Sequence, residues 1–384
     1  MTRYEEIIVI NNFDADDFLQ HYWQQKPLLI RQAIPDIQSP LSPDELAGLA
    51  CEEEVESRIV VNRNGNYELA HGPFDEDVFT SLPDKDWTLL VQAVDHYDPD
   101  VAKLLDYFRF IPNWRIDDIM VSYAPVNGGI PAHVDNYDVF LLQGAGTRQW
   151  QLGPKSDHKS QIQDNEQLRL LLDFQVEEEW VLNPGDMLYV PPGYGHRGTS
   201  LDNDCMTYSI GFRAPSYSEM LSDFCDHQIS LLNEQDRYSD PQLKRQQHPG
   251  EITDATIEKI QSLLKHFTED KQAIAEWFGR FMTSEKYPED NDRSYEINNY
   301  SEQLLQHEYL YRDNSSRFAY TQSNGSATLY VNGEAYNSSL ETALLLANND
   351  HYLTPALPTD TQSIKLIQQL IRQGSLYIEE TLAN

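Results

Sequence analysis

The chain has 384 residues, 40% of them hydrophobic, and 62 Asp plus Glu against 28 Lys plus Arg, for a formal net charge of -34. Length and composition suit a soluble globular protein of two or three domains. The charge disfavours phosphate backbones and favours basic partners, although an acidic surface is also what a salty habitat selects. No stretch approaches the roughly 20 apolar residues of a membrane helix. The acidic start Met1-Thr2-Arg3-Tyr4-Glu5-Glu6 does not read as a secretory signal. Three scattered cysteines, Cys51, Cys205 and Cys225, exclude a disulfide framework or zinc cluster and fit a reducing cytoplasm.

Residues 1 to about 215 read as one β-rich unit with helices near its start. Its first informative strand is Trp114 to Tyr123, free of Gly and Pro, in which Asp118, Met120 and Ser122 share one face. If that face lines a pocket, Ser122 is placed to bond a cosubstrate and Asp118 to hold a cationic group. The alternative is that Asp117 and Asp118 open an edge strand and sit in water. The next segment, bounded by Asn127-Gly128-Gly129 and Gly144-Ala145-Gly146, also reads as β structure. Period-two alternation then aims His133, Asp135 and Tyr137 at one point in space. Gly144-Ala145-Gly146 lacks the later Gly and Lys of a phosphate loop.

Arg148 follows, alternating with Trp150 and Leu152 and so sharing their face. An Arg on an apolar face either snorkels to solvent or finds a planar anion such as the far carboxylate of 2-oxoglutarate. The turn Pro184-Gly185-Asp186, the strand Met187 to Val190 and the loop Pro191-Pro192-Gly193 lead to His196. Two His and one carboxylate, as His-x-Asp plus a distant His, form the set that holds non-haem Fe(II) on one face and leaves the other open. Such a site activates O2.

From Ser216 the pattern becomes helical. Met220, Leu221, Phe224, Ile229, Leu231 and Leu232 recur at helical spacing, as do Ile257, Ile260, Leu263, Leu264 and Phe267, and then Ala273, Ile274, Trp277, Phe278 and Phe281. Thr253 or Asp254 caps the second of these helices. Such helices bury little alone and must pack on something. Ser284 to Ser301 reads as a polar linker. The remainder is a small α+β unit, with an Asn332-Gly333 hairpin, a helix from about Ser363 to Arg372 closed by Gly374, and a strand Leu376 to Ile378.

These residues resemble the JmjC-type 2-oxoglutarate oxygenases, and among them the bacterial ribosomal oxygenases, which hydroxylate an arginine of a large-subunit ribosomal protein. Residues 18–30, 42–50, 71–74, 87–94, 114–118 and 208–215 carry the resemblance beside the His-x-Asp and His motifs. It implies an α+β architecture. A double-stranded β-helix (JmjC, cupin-like) catalytic domain would span 1–215, a helical dimerisation segment 216–284 and a winged-helix-like domain 285–384. It implies Fe(II) at His133, Asp135 and His196, 2-oxoglutarate on Arg148 and Ser122, and the substrate arginine on Asp118, Tyr137 and Ser209. The reaction would consume 2-oxoglutarate and O2, release succinate and CO2, and hydroxylate the β-carbon of an arginine in the sixteenth large-subunit protein.

A homodimer is implied through 216–284, the other option being that these helices pack only on their own catalytic domain. Residues 291–384 hold 5 Lys plus Arg against 11 Asp plus Glu, so the winged-helix-like end is expected to meet protein, not DNA. Two alternatives stand beside this expectation. One is the same oxygenase class acting on a ribosomal histidine or a small molecule. The other is a non-oxidising cupin-like metal-binding module, which needs neither Arg148 nor 2-oxoglutarate.

Overall fold

Strand Ile116–Ala124 shows why the first part of the chain builds two facing sheets. Ile119 and Val121 are fully buried on one side, and Asp118 and Ser122 are buried on the other. A strand covered on both faces is a central strand. The computed structural model describes residues 9–156, 162–165, 168–287, 307–323 and 325–378. They divide into two units, Met1–Ala214 and Pro215–Asn384.

In the first unit an eight-stranded sheet runs, in spatial order, Leu28–Ile30, Met187–Val190, Asp138–Ala145, Cys205–Phe212, Ile116–Ala124, Trp87–Val91, Ser57–Arg63, Asn66–His71. A three-stranded sheet holds Glu178–Leu182, Arg148–Lys155 and Tyr194–Ser200. The chain passes between them: Asp138–Ala145 belongs to the large sheet, Arg148–Lys155 to the small, Met187–Val190 to the large, Tyr194–Ser200 to the small, Cys205–Phe212 to the large. This is a double-stranded β-helix. The outer face of the large sheet carries an aromatic core in which Phe140 meets Phe108 at 4.9 Å and Tyr189 at 4.8 Å between ring centroids. The inner faces enclose Val139, Leu141, Trp150, Leu152, Leu182, Leu188 and Val190. Each fully buried side chain of this size contributes roughly 1.5–3 kcal/mol.

The turn that returns the chain to the large sheet is pinned by charge. Asp186 accepts hydrogen bonds from the Asn183 and Gln32 amides at 3.0 and 2.9 Å and from Arg31 Nη1 at 2.6 Å. Gly185 is required there, because its φ is +89° and a Cβ would lie 2.4 Å from the Ile34 carbonyl oxygen.

The expectation of a strand through His133 and Tyr137 is corrected. The strand begins at Asp138, and the stretch before it is a loop that touches sheet structure only through isolated bridges at Gly129 and His133. Pro125 and Pro131 and the Gly128-Gly129 pair prevent a continuous ladder.

In the second unit the expected helices are Tyr217–Leu231, Asp254–Glu269 and Lys271–Thr283. Thr253, not Asp254, caps the second, accepting from the Thr256 amide. The first two helices have no buried residue, whereas the third buries Trp277, Gly279 and Met282. Trp277 donates to Asp223 at 2.6 Å, and Gly279 lets the Tyr330 ring lie against the helix.

The Asn332-Gly333 turn joins Ser326–Val331 to Glu334–Ser339 with φ of +49° and +81°, the positive pair that a tight two-residue hairpin requires. Helix Thr361–Arg372 starts two residues before the expected position because Asp360 caps it. Gly374, at φ +76°, closes it. The strand after it is Leu376–Tyr377. The expected linker lies outside the described residues from 288 onward. Among the described residues no helix is long and apolar enough to cross a membrane.

Candidate metal centre

His133 and His196 meet as a bridged pair. The His133 amide donates to the His196 carbonyl at 3.1 Å and the His196 amide to the His133 carbonyl at 3.0 Å. Directly paired residues present their side chains on one face, and the two rings lie 4.3 Å apart between centroids. A register shift between Tyr194 and His196 turns the strand locally at this point. The Gly193 amide donates to the Asp135 carbonyl at 2.8 Å and draws that loop inward. Asp135 Oδ2 then sits 3.9 Å from His133 Nε2 and 3.5 Å from His196 Nε2. One ligand atom from each of the three lies within 4.8 Å of the others. The convergence thus comes from a bridge between two distant segments, not from strand alternation.

The donor chemistry fits a divalent metal. His133 Nδ1 bonds the Pro131 carbonyl at 2.9 Å and His196 Nδ1 the Tyr194 carbonyl at 3.1 Å. A carbonyl only accepts, so both Nδ1 atoms carry the hydrogen and both Nε2 atoms keep a lone pair aimed at the common point. Burial, reinforced by His133, lowers the His196 pKa to about 4, so at neutral pH it is the uncharged ligand form. Two imidazoles and one carboxylate on one side leave the opposite side for other ligands, the arrangement of a non-haem Fe(II) site.

Beside this set lies a buried cation. Arg148 is 4% exposed, its Nε donates to Cys205 Sγ at 3.2 Å, and its Nη2 has no hydrogen-bond partner. A buried guanidinium N–H without a partner is costly, so the snorkelling alternative does not hold. Trp150 stands between Arg148 and the metal set. Its ring lies 5.8 Å from the guanidinium carbon and 5.9 Å from the His196 ring. Its own Nε1 is also buried without a partner. Ser122 is buried on the inner face of the large sheet, in register with Thr207.

Asp118 is 3% exposed, and its two oxygens accept from Gln92 Nε2 at 3.0 and 2.9 Å. Its strand lies between Cys205–Phe212 and Trp87–Val91, which removes the edge-strand alternative. Tyr137 is 45% exposed. The charge of Asp135, then burial, then the charge of Asp118 hold its phenol pKa well above the ordinary value, so it stays protonated. Ser209 is buried in register with Met120 and Leu141.

Sequence reading missed Gln92, Gln143, Trp150 and Cys205. A signal for the last was present: Cys205, Thr207 and Ser209 alternate with the bulky Met206, Tyr208 and Ile210. That pattern belongs to a strand with one apolar face and one small polar face.

Residues 103–220 match the JmjC domain family and residues 262–377 match the ROXA-like winged helix. The chain is 36% identical over 338 residues to the ribosomal protein uL16 3-hydroxylase of Escherichia coli (strain K12), covering 87% of this chain and 88% of that one. It is 34% identical over 334 residues to a probable ribosomal oxygenase of Haemophilus influenzae, covering 83% and 80%. The structure of YcfD, a ribosomal oxygenase from Escherichia coli, in complex with cobalt and 2-oxoglutarate superposes with a TM-score of 0.86 at 31% identity, over 97% of this chain and 99% of that one. A bridged His–Asp–His set in a double-stranded β-helix, together with full-length relatives of this similarity, establishes that the chain belongs to the ribosomal oxygenase family of JmjC-domain proteins.

Proposed function

We propose that this protein is an Fe(II)- and 2-oxoglutarate-dependent dioxygenase that hydroxylates the β-carbon of an arginine in ribosomal protein uL16, the sixteenth of the large subunit. The observation that carries this reading is the unpartnered Nη2 of buried Arg148 beside the His133, Asp135 and His196 set. A metal-binding module without oxidation has no use for that cation. The 36% identical relative is a ribosomal protein uL16 3-hydroxylase.

His133, Asp135 and His196 would hold the metal. Fe(II) with 2-oxoglutarate and O2 supplies the oxidant that replaces a C–H hydrogen by hydroxyl, while 2-oxoglutarate leaves as succinate and CO2. The chain's own residues bind, orient and exclude water. Arg148 grips the far carboxylate of 2-oxoglutarate through its planar fork, and Ser122 bonds it from the facing sheet. Trp150 walls the space between these two ends and keeps it dry. Asp118, held by Gln92, pairs with the substrate guanidinium, whose charge offsets a buried carboxylate. Tyr137 packs along the arginine stem as a neutral phenol, and Ser209 bonds the same side chain.

The net charge of -34 supports a basic ribosomal protein as partner, and a cytoplasmic location goes with that reading. Apolar residues left exposed on the first two helices of the second unit, among them Leu221, Ile229, Leu231, Ile257, Leu263 and Leu264, support homodimerisation through residues 216–284. The domain limits of the expectation, 1–215, 216–284 and 285–384, are carried into this reading.

The test is anaerobic reconstitution with Fe(II), then succinate release from 2-oxoglutarate with and without purified uL16, followed by mass spectrometry. Release stimulated by uL16, with one oxygen gained on an arginine, is the expected result. Release without that gain leaves the oxygenase and removes the substrate. No release from iron-loaded folded protein overturns the reading.

A further inference from the structure

Cys205 has no role in the mechanism above, yet it is fully buried and touches the cation on which that mechanism depends. Two N–H donors converge on its sulfur, Arg148 Nε at 3.2 Å and Gln143 Nε2 at 3.4 Å. The Gln143 amide cannot turn away. Its Oε1 accepts from Thr207 Oγ1 at 3.1 Å, and its Nε2 also donates to the Ala145 carbonyl at 2.7 Å. A sulfur facing two N–H groups acts as an acceptor. Among the described residues the Arg148 guanidinium has one hydrogen-bond partner, Cys205.

We propose that Cys205 is a positioning residue for 2-oxoglutarate, fixing the plane of the Arg148 guanidinium so that its Nη1–Nη2 end faces the cosubstrate's far carboxylate. This rests on the reading of Arg148 given above. A guanidinium is planar, so pinning Nε–H to one acceptor sets the direction of the remaining N–H groups. With Nε committed to sulfur, the end left for a carboxylate is the one that carries the unpartnered Nη2. An Arg side chain free to change rotamer loses that freedom on binding, which weakens affinity. One already held by Cys205 loses less. The anchor acts only on ligands that reach Arg148. It therefore bears on 2-oxoglutarate and succinate, which share the far carboxylate, and not on oxalate, which chelates a metal and has none.

The experiment is calorimetric titration of the full-length Mn(II)-loaded protein with 2-oxoglutarate, succinate and oxalate, for wild type, Cys205→Ala, Cys205→Ser and Arg148→Ala. Cys205→Ala is expected to weaken 2-oxoglutarate and succinate by about tenfold, equivalent to about 1.4 kcal/mol. Oxalate affinity should hold, and Cys205→Ser, which keeps an acceptor, should recover much of the loss. In turnover, KM for 2-oxoglutarate should rise by more than kcat falls. Cys205→Val, which lacks an acceptor and is near in volume, serves if the alanine variant does not fold.

Unchanged affinity for 2-oxoglutarate in Cys205→Ala, with binding lost in Arg148→Ala, overturns the anchor and leaves the proposed function standing. An equal loss of oxalate also overturns it, since the effect would then run through the metal ligands. Wild type that binds oxalate but not 2-oxoglutarate overturns the reading of Arg148 itself.

Discussion

At the scale of single residues, the site separates two tasks. His133, Asp135 and His196 converge through a pair of backbone hydrogen bonds, so each ligand is held by main chain as well as by its own side chain. Removing Asp135 leaves both imidazoles in place but takes away the only charge of the set. Asp135→Ala is expected to lower Mn(II) or Fe(II) affinity by about 10²-fold or more and to abolish turnover while the thermal midpoint stays near wild type, consistent with the loss of a first ligand outweighing the 10–100-fold typical of outer partners. Metal titration followed by a melt checks both, and normal turnover in the variant would remove Asp135 from the centre. Asp118 has a different task in the proposed function. Asp118→Ala should then cut peptide hydroxylation by more than it cuts peptide-independent 2-oxoglutarate decay, since its carboxylate is proposed to meet the substrate cation and not the metal. Parallel succinate and peptide assays decide this, and an equal loss of both would reassign Asp118 to holding Gln92.

At the scale of elements, the site depends on where strands change sheet. The turn Pro184-Gly185-Asp186 carries the chain from Glu178–Leu182 in the small sheet to Met187–Val190 in the large. Asp186 ties it to the segment after Leu28–Ile30. Burial alone would raise the Asp186 pKa. It is outweighed by the Asn183 and Gln32 amides and by Arg31, and the net shift is below the ordinary 3.8. A carboxyl whose folded pKa is depressed contributes stability above its unfolded value and loses it as pH falls through the folded one. Asp186→Asn should therefore cost about 1–3 kcal/mol at pH 7, with the difference from wild type shrinking below about pH 4. Denaturant titrations across that range test the sign. A difference that grows towards acid pH would show that the carboxylate is not the stabilising form. A second element-scale constraint is Gly198, where a Cβ would come within 2.8 Å of the Trp150 ring that separates Arg148 from His196.

At the scale of the whole molecule, the acidic charge is the dominant feature. A net charge of -34 speeds encounter with a basic protein and is screened by salt over a Debye length of about 8 Å at physiological ionic strength. Hydroxylation efficiency on a basic uL16 peptide should fall several-fold as salt is raised, while peptide-independent 2-oxoglutarate decay, which needs no encounter of proteins, stays level. Steady-state kinetics over a salt series checks this. Equal salt dependence of the two would assign the charge to solvation of the surface and not to substrate capture.

The sequence by itself determined the types of residue at the metal centre. His-x-Asp with a distant His past a Pro-Gly turn names a ligand set because few other chemistries use it. Alternation likewise exposed the inward faces of Ile116–Ala124 and Arg148–Lys155, since a strand of period two cannot hide which side is polar. It also determined the Asn332-Gly333 hairpin, whose positive φ pair few residues tolerate. Only the tertiary structure decided how the ligands meet. The stretch carrying His133 and Asp135 is a loop whose position is set by the amide and carbonyl of His196, 63 residues away, a long-range pairing that no local propensity encodes. The same holds for Asp118, whose neighbours Cys205–Phe212 and Trp87–Val91 decide between a hydrated edge and a buried anion site. It holds again for Cys205, which meets both Arg148 and Gln143 only when three strands come together. Periodicity reports which face of a strand is buried; which partners that face meets is set by sheet order, and sheet order depends on loop closure and core packing across the whole unit.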